Sequence, residues 1–135
     1  MKTRMFLVAA LVAVLVAGGL SHAAFAKGGS GGGDRVRIAL NGSAAYPNAD
    51  GKASYKVKGS KREFEAEVEH VKKLKGQTVN VFVNGTKVAS AKVDTLGQAE
   101  TELSTELGNK VPTIKSGDKV EIKTAAGVVI VSGSF

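Results

Sequence analysis

The chain has no cysteine and no tryptophan, and only two prolines among 135 residues. Without cysteine it carries neither a disulfide staple nor a lipid-modified N-terminal cysteine, although an exported chain would be free to form disulfides. Stability must come from the core alone. With two Tyr and five Phe in all, that core is built mostly of Val, Ile, Leu and Ala. Histidine is nearly as scarce, with only His22 and His70. A zinc site wants several His or Cys ligands, so none is expected. There is no G-x-S-x-G elbow and no H-E-x-x-H motif. A Ser-His-Asp triad would have to take its base from His70, which reads as a strand-end histidine. Calcium could use oxygens from Asn48 and Asp50, but no D-x-D-x-D-G series is present. The chain therefore reads as a non-enzyme with no cofactor and no metal.

What is present first is an export signal. Met1-Lys2-Thr3-Arg4 is a short positive region, and Met5 to Leu20 is an uncharged apolar run. Ser21 to Ala26 is a small-residue segment in which Ala24 and Ala26 fit the A-x-A cleavage pattern. The run is shorter than the roughly 20 residues of a spanning helix, and Gly18 and Gly19 weaken its end. Residues 1–26 are thus expected to be a cleaved signal peptide, with cleavage after Ala26. Residues 27–33 form a Gly/Ser-rich linker, and residues 34–135 form one domain. The expected location is secreted or periplasmic, with no integral membrane domain once the signal is cleaved. Loss of Lys2 and Arg4 lowers the formal charge from +7 to +5. That modest basicity suits contact with anionic surfaces or polymers without requiring it.

Along the domain the dominant pattern is alternation with a period of two. Val36, Ile38 and Leu40 alternate with polar or small neighbours, as do Ala53, Tyr55 and Val57. Val79, Val81 and Val83 alternate with Asn80 and Phe82, and Ala99, Thr101 and Leu103 with Glu100 and Glu102. Val120 and Ile122 form another such run, and Val128 to Val131 is a short apolar run. Asn84-Gly85 is the strongest hairpin signal. Pro47 to Gly51, Ser116-Gly117-Asp118 and Ala126-Gly127 read as further turns. Arg62 to Val71 alternates as a strand, with Phe64, Ala66, Val68 and His70 on one face and Glu63, Glu65, Glu67 and Glu69 on the other. Phe64, Val68, Val71 and Leu74 also make a helical stripe, so a short helix around residues 61–75 is the alternative.

The expected fold is all-β: one antiparallel β-sandwich of about seven or eight strands. Ile38 to Pro47, followed by Gly51 to Tyr55 and Phe64 to Val68, is similar in rhythm to the opening of CHRD-type domains. Val120 to Phe135 is similar to the last hairpin of many immunoglobulin-like domains. The resemblance implies a small secreted sandwich of immunoglobulin-like architecture. It carries over no functional residue, because of the histidines that usually follow this opening only His70 is available.

Two charged segments are candidates for function. Val71-Lys72-Lys73-Leu74-Lys75-Gly76 is the densest basic stretch, so Lys72, Lys73 and Lys75 form a candidate anionic-ligand patch. It lacks the stacking aromatics of single-strand binders, and no nucleic acid partner is expected. The Glu row is the other candidate. Paired carboxylates serve glycoside hydrolysis, but a row on one strand face more often pairs with basic neighbours, here Lys52, Lys56, Lys58 and Lys61. That reading places Lys56 and Lys58 opposite the glutamates. Asn41-Gly42-Ser43 and Asn84-Gly85-Thr86 match the glycosylation pattern, and both also read as Asn-Gly turns. A terminal Phe135 is familiar from outer-membrane barrels, but strands this charged exclude a lipid-facing band. The expected role is a non-enzymatic binding or structural module whose partner is another envelope or extracellular macromolecule. A binder of anionic polymers is one alternative, and a small hydrolase using the Glu row or His70 is the other.

Overall fold

The computed structural model describes residues 33–135. The signal segment and all of the linker except Gly33 lie outside the described residues. Eight strands follow: β1 (Asp34–Gly42), β2 (Asp50–Lys58), β3 (Lys61–Glu69), β4 (Thr78–Val83), β5 (Thr86–Lys92), β6 (Ala99–Ser104), β7 (Lys119–Thr124) and β8 (Val129–Ser134). All pair antiparallel, in one sheet of order β5-β4-β7-β8-β1-β2-β3-β6. The seam between its halves is narrow. β1 meets β8 through Asn41↔Ser132 and Gly42↔Val131 alone. The outermost strands, β5 and β6, lie near each other without pairing, so the sheet curls almost into a barrel.

The alternating residues explain the core. Leu40, Phe64, Val68, Val79, Val81, Val120, Ile122, Ile130 and Val131 are all at most 1% exposed and share one interior. Burying a side chain of this kind contributes about 1.5–3 kcal/mol. Charged residues take the opposite faces. A lipid-spanning barrel needs the reverse polarity, with an apolar outer band.

β3 is a strand because it has ladder partners on both sides, β2 and β6, and drops Phe64, Ala66 and Val68 into the core. The helical alternative over 61–75 shrinks to a 3-10 turn at Lys72–Leu74. His70 does not continue the inner face. The strand ends at Glu69, and His70 turns out to solvent at φ 66°.

Two expected turns also move. Asn84-Gly85 is the β4–β5 hairpin, with both residues at positive φ. Asn41-Gly42 is not a turn but the end of β1, and Asp50-Gly51 already belongs to β2. At Gly42 a Cβ would lie 2.4 Å from the Tyr46 carbonyl oxygen and 2.5 Å from that of Ala49. The glycine lets the 43–49 loop fold back onto its own strand. The apolar 128–131 run becomes the start of β8, with a bulge. Ile122 pairs with Val131 and Lys123 with Val129, which leaves Ile130 as the extra residue. Its carbonyl accepts from the Ser43 amide at 2.9 Å, so the bulge anchors the 43–49 loop.

Candidate functional site

The β2–β3–β6 face carries the acidic row. β3 sends Glu63, Glu65, Glu67 and Glu69 outward, and across the β2 ladder they face Lys56, Ser54, Lys52 and Asp50. Lys56 is thus opposite a glutamate as expected, but Lys58 is opposite Lys61. Lys61 turns instead to Glu106, at 2.7 Å. Arg35 from β1 reaches over β2. It donates to Ser54 Oγ at 3.0 Å and pairs with Glu63 at 3.4 Å and Glu65 at 3.7 Å. Lys52 pairs with Glu67 at 3.7 Å.

The other flank of the row is acidic. Glu65 faces Glu102 and Glu67 faces Glu100 across the β3–β6 ladder. Like charges directly opposite weaken a pair. Glu67 is the most enclosed of the ion-paired glutamates on β3, its side chain 12% exposed. Burial first, and then a hydrogen bond with Glu69, push its carboxyl up to about 7; Lys52 opposes this, and the charges on Glu69 and Glu100 add to it.

At the end of β3 the register brings Asp50 and Glu69 directly opposite each other. His70 follows in the left-handed region, and its Nδ1 lies 2.7 Å from Asp50 Oδ1. One ligand-type atom from each of Asp50, Glu69 and His70 falls within 4.8 Å of the others. These are the residues among those described that could hold a metal ion. Of the oxygens considered for calcium, Asp50 is in this cluster and Asn48 is not. The sequence holds no signal for the grouping, because Asp50 is brought to Glu69 only by the β2–β3 register.

The chain then enters the basic turn. Lys72, Lys73 and Lys75 are exposed, while Val71 before them and Leu74 among them are buried. The turn is pinned on both sides. The Val71 amide donates to the Gly97 carbonyl at 3.0 Å, and the Gly76 amide to that of Val93 at 2.8 Å. Gly97 has φ 82°, and a Cβ there would lie 2.7 Å from the Lys72 nitrogen. Beside Gly97, Leu96 is 66% exposed at the tip of a loop whose Asp94 carboxylate accepts from the Leu96 and Gln98 amides. The lysine turn, the Leu96 loop and the Asp50–His70 pair lie at the same end of the sheet. Leu96 had no signal in the sequence beyond being apolar.

The described chain enters at the opposite end, where Asp34 pairs with Val57. The nine residues of β1 separate the two ends by roughly 27 Å. No helix among the described residues is long and apolar enough to cross a membrane. The chain matches no family model, no curated protein and no solved structure.

Proposed function

We propose that this is an exported, non-enzymatic binding module of the envelope or extracellular space that engages an anionic polymer or surface through the Lys72–Lys75 turn. One observation carries the reading: three exposed lysines stand on a turn held by buried Val71 and Leu74, at the end of the domain away from its N-terminal entry. A rigid turn presents its charges without losing backbone entropy on binding. Membership among secreted immunoglobulin-like or CHRD-type sandwich modules belongs to the same proposal. Its support is that two four-stranded halves, joined at a two-pair seam, share one core.

A heparin-type column tests this. The Lys72/Lys73/Lys75→Ala variant should elute at clearly lower salt than a Lys87/Lys92/Lys110→Ala variant with the same net charge. Equal elution of the two would show that charge alone, not the turn, governs retention. The hydrolase alternative, using the Glu row or His70, has less support: Glu63 and Glu65 pair with Arg35, Glu67 with Lys52, and His70 with Asp50.

A further inference from the structure

Asp50 and Glu69 are a like-charged pair placed face to face at the last rung of the β2–β3 ladder. Every other glutamate of the β3 row faces a lysine or a serine across the same ladder. Like charges at such a rung weaken the pairing, and a cation between them reverses the sign of that contact. The third member is the histidine. His70 and Asn84 are the described non-glycine residues with positive φ, and Asn84 is accounted for by its Asn-Gly hairpin. His70 bends back over the strand end, which brings its Nδ1 to Asp50 Oδ1 at 2.7 Å. Strained backbone of this kind costs on the order of 1 kcal/mol and is found where a site needs it.

We infer that Asp50, Glu69 and His70 form a binding site for a borderline divalent metal ion, of which zinc is the representative. The donor set decides the class. One imidazole nitrogen with two carboxylates suits zinc, nickel or copper, whereas calcium and magnesium prefer all-oxygen shells. The ligand atoms lie within 4.8 Å of one another, and a tetrahedral zinc with bonds of about 2.0–2.2 Å needs them roughly 3.3–3.6 Å apart. The Asp50 and His70 side chains are 59% and 64% exposed, so solvent leaves both free to adjust: their 2.7 Å contact must open to admit the ion while the Glu69 carboxylate draws in. On binding, the ion takes the place of the hydrogen bond between His70 Nδ1 and Asp50: Nδ1 becomes a ligand, the neutral imidazole carries its single proton on Nε2, any further proton is released to solvent, and one position is left to water. Ligands from both strands would clip the start of β2 to the end of β3. The inference does not depend on the lysine-turn reading, and either can fail without the other.

The test is isothermal titration of the EDTA-stripped, dialysed protein with zinc chloride. Long-range 15N NMR of the imidazole follows the same titration. The expected result is one saturable site per chain, with His70 Nδ1 shifting on binding. His70→Asn keeps a residue that tolerates the left-handed backbone, so it separates loss of the ligand from loss of the fold. His70→Asn and Asp50→Asn should each weaken binding about tenfold or more, a scale on which even outer partners of metal sites act. Glu63→Gln, on the same face but away from the cluster, should leave affinity unchanged. Absence of saturable zinc binding up to roughly 1 mM, or equal affinity in the wild type and His70→Asn, overturns the inference. Calcium binding as tight as zinc would also overturn it, because that describes an acidic surface and not a mixed nitrogen–oxygen site.

Discussion

Asn84 donates from Nδ2 to Asp118 Oδ1 at 3.0 Å, and its own Oδ1 accepts from the Lys119 amide at 2.9 Å. One side chain at the tip of the β4–β5 hairpin therefore holds the start of β7. Asp118 is buried, and its other oxygen accepts from the Lys115 amide at 2.8 Å. Burial by itself would raise the Asp118 carboxyl. The hydrogen bonds from Asn84 and Lys115, with the Lys115 charge, hold it below its ordinary value. Asn84→Ala removes both bonds and puts a Cβ-only residue at φ 49°. It should destabilise the domain by about 2–3 kcal/mol. Urea unfolding checks this: the midpoint should fall with the slope unchanged.

Glu67 makes stability depend on pH. Its carboxyl is held near 7 in the fold against an ordinary 4.5, so the folded state binds the proton more tightly than the unfolded chain does. Its contribution is fully present below about pH 4.5 and is lost as pH rises through 7. Allowing for solvent screening, the loss is about 1–2 kcal/mol. Glu67→Gln should remove most of that slope and be more stable than wild type at pH 8, measured by thermal unfolding with EDTA present. A wild-type stability that stays flat or rises between pH 5 and 8 would contradict it.

Gly97 is needed for the basic turn. A side chain there meets the Lys72 backbone and must adopt φ 82°. Gly97→Ala should cost about 1–3 kcal/mol. It should also speed hydrogen exchange at the Val71 amide, which donates to Gly97, ahead of amides in β7.

Phe64 is fully buried at the middle of β3. Phe64→Ala should cost about 3–5 kcal/mol. Phe82, half-buried outside β4 beneath Lys123 at 4.6 Å, should cost clearly less on the same change. Chemical denaturation of the two variants side by side checks this, and an equal loss for both would contradict it.

The strands were legible because a side-chain period of two survives any choice of partner. Val79, Val81 and Val83 point inward wherever β4 sits in the sheet. The β4–β5 hairpin was legible because Asn84-Gly85 carries its turn geometry locally. Asn41-Gly42 has the same dipeptide but ends a strand. Its backbone is claimed by β2 and β8 together, and tertiary pairing overrides the local preference. The partner of Lys56 was readable from charge pattern, while that of Lys58 was not, because the tight β2–β3 turn sets the register and places Lys61 opposite it.

By itself, then, the sequence determined an all-β domain, the inward and outward residues of its strands, its cysteine-free Val- and Ile-rich core, and a lysine cluster at 72–75. Those follow from local chemistry and periodicity. Only the tertiary structure decided that one sheet runs from β5 to β6 through a two-pair seam. It alone brought Glu100 and Glu102 beside the glutamates of β3, and joined Asp50 to Glu69 and His70. Contacts of that kind depend on which strands pair and in what register, and a shift of one residue would turn every side chain to the other face.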